Sequence, residues 1–146
     1  MMTGMRQLLI AALLTAAGLS AQTPSLNALE KEFQDSMQGV TLEGQSTRDG
    51  KPGLSEDKYE IEKVVKTGDD QWTVYAKIEF RGQAMTVPLP LEIKWAGDTP
   101  MITLTDQSLP GMGTYTARVL LYRGQYAGTW SGRNGVGKVF GKIVKK

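Results

Sequence analysis

The sequence predicts an all-β protein, most simply an antiparallel up-and-down barrel of about eight strands preceded by a short helix. Apolar and polar residues alternate along most of the chain, which is typical of strands with one buried face. Short turn segments rich in Gly, Asp and Pro separate the alternating runs. These segments are too short for helical crossovers, so neighbouring strands must be antiparallel. A β-sandwich is the alternative, and we favour a barrel because closure removes exposed strand edges.

Residues 1–21 have the layout of a secretory signal peptide. A short segment with one positive charge, Met1 to Arg6, precedes an apolar run at 7–19, and polar Gln22 follows the small residue Ala21. The apolar run has about 13 residues, whereas a membrane span needs about 20, so a signal peptide is favoured over an anchor. We expect cleavage after Ala21, secretion or periplasmic export, and no transmembrane segment in the mature chain, residues 22–146.

A short amphipathic helix is predicted over residues 24–38. Thr23 is the expected cap, Pro24 the expected first helical residue, and Gly39 the expected end. Apolar residues then share one helical stripe: Leu26, Leu29, Phe33 and Met37. We interpret the helix as a lid on the core of the domain, with a partner-binding helix as the alternative.

The strand pattern is clearest at 72–80 and 85–95, where every second residue is apolar. Weaker alternating runs fall at 40–47, 58–66, 101–105, 114–122, 125–131 and 138–145. Together these runs make about eight strands in a single domain. Pro88 and Pro90 lie two residues apart, so the N–H groups that they lack would all have faced the same neighbouring strand. We therefore expect a bulge at this strand, and the alternatives are a split barrel, which would give a lateral opening, or a free strand edge.

The composition excludes several kinds of catalytic site. The chain contains no Cys and no His, so a disulfide, a thiolate nucleophile and a Ser-His-Asp triad cannot form. The candidate carboxylate pairs, Glu56-Asp57 and Asp69-Asp70, fall in turns or on the polar face. Asp49, Glu56 and Asp57 do not have calcium-loop spacing. We expect no enzyme activity, no metal site and no cofactor.

A glycine-rich segment at 132–138 has the spacing of a phosphate-binding loop, G-x-x-x-x-G-K. Val139 stands where that loop needs Ser or Thr, and a strand pattern follows where a helix is required. We therefore interpret the segment as a hairpin.

Charge is distributed unevenly along the chain. Residues 111–146 contain seven basic residues and no acidic one, whereas residues 22–110 carry a net charge of −6. Five of the basic residues form a predicted surface patch: Arg118, Arg123, Arg133, Lys138 and Lys142. In an exported protein, an anionic envelope polymer is a more natural partner for such a patch than nucleic acid. The favoured alternative is that these strands lie beside the acidic strands, which neutralise them.

The segment Gly128-Thr129-Trp130 leads into the last predicted hairpin. A Gly two residues before a Trp lets the ring lie flat across the end of a barrel. In this motif and in its strand pattern, leading helix and signal peptide, the chain resembles the calycin group of secreted barrels, which includes lipocalins and avidins. It is similar to the short lipocalin-like proteins that bacteria export. Those families carry the motif on the first strand, and here it lies on the next to last, so no ligand residues are carried over.

An eight-stranded barrel either fills with side chains or holds one small ligand. Bulky inward residues such as Ile93 and Leu121 favour a filled interior, and an open cup is the alternative. We expect an exported binding or interaction protein that is not an enzyme. In the binding version, Trp72, Trp95, Tyr115 and Trp130 hold a small apolar or amphipathic ligand. In the interaction version, the barrel is filled and an envelope partner meets the basic C-terminal surface.

Overall fold

The computed structural model describes residues 24–80, 82–109 and 111–146, and the predicted signal peptide lies outside them. A single helix, α1 (Ala28–Ser36), precedes eight strands. The strands in chain order are β1 (Val40–Arg48), β2 (Lys51–Lys66), β3 (Gln71–Phe80), β4 (Gln83–Ala96), β5 (Thr99–Leu109), β6 (Gly113–Tyr122), β7 (Gln125–Gly132) and β8 (Gly135–Lys145). The predicted all-β class and the strand count are confirmed.

Each strand pairs antiparallel with the next, and β8 pairs with β1 to close the barrel. The fold is therefore the predicted up-and-down barrel, and the sandwich alternative is wrong. The hairpins β1–β2, β3–β4, β5–β6 and β7–β8 lie at one end of the barrel, which we call the open end. At the opposite, closed end lie α1 and the other three turns.

Helix α1 begins at Ala28, four residues later than the sequence predicted. Its cap is Asn27, whose side-chain oxygen accepts a hydrogen bond from the Glu30 backbone N–H at 2.8 Å. The Glu30 carboxylate accepts one from the Asn27 N–H at 3.1 Å, which completes a capping box. The expected helix start at Pro24 is therefore wrong, because this reciprocal pair satisfies the first free N–H groups of the helix; the expected cap, Thr23, lies outside the described residues.

The buried face of α1 packs on the closed end of the barrel. Phe33 lies edge-on against Trp72, with ring centroids 5.2 Å apart, and against Trp95 at 6.0 Å. Met37 is also buried, but the predicted stripe was wrong at Leu29, which is 41% exposed. Glu30 is buried in its place, because the ammonium group of Lys66 on β2 lies 2.6 Å from its carboxylate.

The closed barrel is partly split between β4 and β5, whose pairing is short. Among the described residues, β4 pairs with β3 from residue 83 to residue 92, but with β5 over residues 92–96 alone. The Ile93 N–H donates to Asp70 at the β3 end of the sheet, so the N–H positions of residues 88 and 90 face β5. Pro88 and Pro90 supply no donor there, which explains the expected loss of pairing. The expected bulge is not in β4, whose described register is regular, but the facing strand β5 shifts register against β6 between Leu104 and Gln107.

Candidate functional site

The barrel encloses an apolar cavity of about 320 Å³ that reaches from α1 to the open end. Its walls come from most of the strands and include Leu42, Val74, Leu89, Leu104, Val119 and Val139. The expectation of a side-chain-filled interior was wrong. Small residues occupy inward positions between the bulky ones: Gly44, Ala76, Ala117, Gly137 and Gly141. Ala76 and Ala117 line the cavity, whereas the glycines allow close approach of neighbouring backbone and make room for the side chains of Tyr126 and Trp130.

Trp130 lies across Gly137, its partner on the neighbouring strand β8. A Cβ at Gly137 would stand 3.0 Å from the indole Nε1, and that Nε1–H donates to the Thr47 carbonyl on β1 at 3.1 Å. The sequence assigned the space for the ring to Gly128, which was wrong. Gly128 instead allows its strand to approach the Arg118 carbonyl on β6 more closely than a Cβ would permit.

Tyr115 has a similar position one strand earlier. Its ring lies against Gly132 on β7, where a Cβ would come within 2.9 Å of the ring carbons. The Tyr115 and Trp130 ring centroids are 6.5 Å apart, and both side chains line the cavity. The structure therefore brings together two of the four residues that the sequence predicted to hold a ligand.

The other two predicted ligand residues, Trp72 and Trp95, do not line the cavity. Trp72 is 1% exposed and lies beneath Phe33 in the core of the closed end. Trp95 is partly buried beside the same phenyl ring. Among the described residues, the Trp72 Nε1–H has no hydrogen-bond partner. These two indoles support the helix and are separated from the ligand space by Phe33, which does line it.

A polar group that the sequence analysis assigned to the surface lies inside the cavity. The Tyr126 hydroxyl donates to Asp57 Oδ2 at 3.3 Å, and Tyr59 lies two residues further along the inward face of β2. Burial raises the pKa of Asp57, although hydrogen bonds from Tyr59 and Tyr126 partly oppose this. Burial and the neighbouring carboxylate raise the pKa of both tyrosines. The cavity therefore offers one carboxyl group and two phenols, all of which hold their protons to higher pH than usual.

The cavity is accessible from the open end. Tyr59 points inward and lines the cavity, yet the residue is 42% exposed. Arg48 at the end of β1 also lines the cavity and lies beside Gly135. Within the described residues, no carboxylate lies within 4 Å of the Arg48 guanidinium. Tyr59 and Arg48 were missed because the sequence analysis did not fix the inward face of β2 or the end of β1.

The predicted basic patch is divided between the sheet surface and the turns. Arg118, Lys138 and Lys142 face outward on β6 and β8, while Arg123 and Arg133 lie in the turns at opposite ends of β7. In the part of the chain that the structure describes, none of the five has a carboxylate within 4 Å. Among the described residues, no direct ion pair neutralises these five side chains, and neutralisation by neighbouring acidic strands, which the sequence favoured, stays a prediction.

Within the described ranges, no cluster of three or more acidic side chains could hold a metal ion, and no helix has the length and apolar character needed to span a membrane. No protein-family model, curated protein or solved structure matches the chain. The calycin resemblance is supported only at the level of architecture, by the closed eight-stranded antiparallel barrel with one short helix.

Proposed function

We propose that this chain is an exported carrier, without enzyme activity, that holds one small apolar or amphipathic molecule inside its barrel. The observation that carries the proposal is the apolar cavity of about 320 Å³. Cavities of roughly 300–1,000 Å³ with a few converging polar groups are typical ligand sites. Export rests on the predicted signal peptide. The cavity also weighs against a purely structural role for a filled barrel.

The walls indicate how such a molecule would lie. Its apolar body would contact the aliphatic side chains and Phe33 near the closed end. Tyr115 and Trp130 would flank it nearer the open end, where aromatic faces provide large contact area with little loss of side-chain entropy. A polar group on the molecule would meet Asp57, Tyr59 or Tyr126. We therefore expect ligands with a compact apolar part and at most one or two polar groups.

The direct test is a titration with N-phenyl-1-naphthylamine, a neutral apolar dye that becomes fluorescent in apolar surroundings. Ala117 on β6 faces the cavity, whereas Ala96 on β4 faces solvent, away from the β6–β8 surface. We expect Ala117→Phe to weaken dye binding by at least about tenfold, because the new ring takes up ligand volume. The matched control is Ala96→Phe, which should bind like the wild type.

Circular dichroism would establish that both variants fold, and Val119→Phe would replace Ala117→Phe if that variant does not. Equal affinity of the wild type and a folded cavity-filling variant would place the dye outside the barrel and contradict the proposal. Failure of the wild type to bind any of a panel of neutral apolar dyes would do the same.

A further inference from the structure

The outward side chains of β6 and β8 combine cations with exposed apolar groups on one continuous surface. We call this surface the basic outer face and define it by six residues: Arg118, Leu120, Tyr122, Lys138, Phe140 and Lys142. The strand register arranges them in three parallel rows that cross β7. The rows are Arg118–Thr129–Lys138, Leu120–Ala127–Phe140 and Tyr122–Gln125–Lys142.

The apolar members of this face are unusually open to solvent. Leu120 is 42% exposed, Tyr122 is 50% exposed and Phe140 is 43% exposed. Leu120 and Phe140 stand in the middle row on either side of Ala127. The middle row therefore contains no polar side chain, and it lies between two rows that each contain cationic side chains. An exposed apolar row of this kind costs solubility and is characteristic of an interaction surface.

The charge of the face is uncompensated by direct contacts. Residues 111–146 contain no acidic residue, and in the described part of the chain neither lysine of the face lies within 4 Å of a carboxylate. The Arg118 guanidinium donates to the Leu104 carbonyl at 2.7 Å and to Thr105 Oγ1 at 3.0 Å, which are neutral acceptors. Glu43 on β1 is the acidic residue in register with Lys142, and no ion pair joins them.

We propose that the basic outer face docks on an anionic phospholipid surface. Lysine and arginine side chains near such a surface are attracted to its headgroups, and exposed Leu, Phe and Tyr side chains enter the interfacial region between headgroups and acyl chains. A soluble anionic polymer would satisfy the cations but would leave the Leu120–Phe140 row in water. This inference stands apart from the cavity and does not depend on what the barrel holds.

The test uses residues 22–146, which contain every element that the structure describes and lack the apolar signal segment that would itself bind lipid. Binding is measured by co-sedimentation with vesicles of phosphatidylcholine containing phosphatidylglycerol, and with vesicles of phosphatidylcholine alone. We expect binding to the anionic vesicles, weakened by salt. Lys138→Gln combined with Lys142→Gln should lower the partition coefficient by roughly tenfold or more.

The matched control is Lys58→Gln combined with Lys77→Gln, which removes the same charge from exposed positions on β2 and β3; it should change binding by less than about threefold. Leu120→Ser combined with Phe140→Ser tests the apolar row, and it should also weaken binding several-fold. Retention on a soluble polyanion such as heparin is measured in parallel.

Three results would overturn the proposal. The wild type could fail to bind anionic vesicles at low salt. The Lys58/Lys77 variant could lose as much binding as the Lys138/Lys142 variant, which would show that binding depends on the net charge of the protein and not on this face. The Leu120/Phe140 variant, folded by circular dichroism, could bind vesicles as tightly as the wild type while heparin retains both, which would identify a general polyanion surface instead.

Discussion

The hydroxyl of Tyr126 on β7 donates a hydrogen bond at 3.3 Å to the carboxylate of Asp57 on β2, although two strands separate these residues in the sheet. Gly141 on β8 and Gly44 on β1 stand in the same row between them. A Cβ at Gly44 would collide with the phenol oxygen. The contact therefore requires both an aromatic residue and a glycine at matched register, and it places a polar group inside the apolar cavity.

Replacing Asp57 should reveal the cost of keeping its charge in the cavity. Because burial raises the pKa of Asp57 in the folded state, the native chain holds this proton to higher pH than the unfolded chain does. Ionisation of Asp57 therefore lowers stability as the pH rises above the unfolded value of about 3.9. We expect Asp57→Asn to be more stable than the wild type at neutral pH, and the gain to disappear below about pH 4.

Urea unfolding of the two proteins across this pH range measures the difference. Glu56→Gln, at the exposed neighbouring residue, makes the same change in charge outside the cavity and should show no comparable gain. If Asp57→Asn were less stable than the wild type at every pH, the Asp57 side chain would stabilise the fold, and the expectation would be contradicted.

Substitution of Gly137 should remove the surface on which Trp130 lies. A methyl group there would collide with the Thr47 carbonyl and stand 3.0 Å from the Trp130 indole nitrogen. We expect Gly137→Ala to lower the free energy of unfolding by about 2–4 kcal/mol and to shift Trp emission, because backbone has to move. Gly68→Ala, whose methyl would meet the Gln71 side chain at 3.3 Å, should cost less than about 1 kcal/mol by the same denaturant measurement.

The ion pair of Glu30 with Lys66 should make α1 sensitive to acid. Burial by itself would raise the pKa of Glu30, but the hydrogen bonds from Lys66 and Asn27 outweigh it and hold that pKa below its usual value. Such a group stabilises the fold above the unfolded pKa of about 4.3, and the stabilisation is lost as the pH falls through the lower native value.

We expect Glu30→Gln to lose about 2–4 kcal/mol at neutral pH, because Lys66 would remain as a buried, unpaired charge. The loss should shrink in acid, as followed by urea unfolding at several pH values. Asp35→Asn breaks the exposed pair with Lys31 on the same helix and should cost at most about 0.5 kcal/mol. Equal losses in the free energy of unfolding for the two variants would show that the buried Glu30–Lys66 pair contributes no more to stability than the exposed Lys31–Asp35 pair.

The split between β4 and β5 should be visible in amide hydrogen exchange. Thr103 on β5 is in register with Glu92, whereas Thr105 lies beyond the paired segment, beside Pro90 at a second cavity of about 110 Å³. We expect the Thr105 amide to exchange much faster than the Thr103 amide, because Thr105 has no paired residue on β4. Equal, slow exchange of both amides would mean that β4 and β5 stay paired along their length.

Most of the fold could be predicted from sequence because its signals are local. Alternation and turn residues locate the strands, and Pro88 and Pro90 identify the strand beside the split. The sequence could not show whether the prolines face β3 or β5. The hydrogen bond from the Ile93 N–H to the Asp70 carbonyl shows that they face β5. The helix start was wrong because Asn27 and Glu30 form a capping box that the Thr23-Pro24 pattern did not indicate.

The candidate site was harder to predict because it is made by residues far apart in the chain. Tyr115 and Trp130 could be chosen as large aromatic residues near the last hairpins. The choice of Trp72 and Trp95 did not foresee that Phe33 would lie between them and the cavity. Asp57 was predicted to lie on the surface because its hydrogen-bond partner, Tyr126, is distant in the sequence. In the sequence, Gly44 and Gly137 only interrupt the alternation of their strands, and the structure was needed to show that they make room for Tyr126 and Trp130 on neighbouring strands.

Whether the barrel holds a molecule can be measured by native mass spectrometry of residues 22–146. Residues 22–146 would be purified gently from the exporting host and compared with Ala117→Phe. We predict one discrete additional mass per chain that leaves on denaturation and is reduced or absent in the variant. The polypeptide mass alone for the wild type, together with no uptake of apolar dyes by the purified protein, would contradict the account.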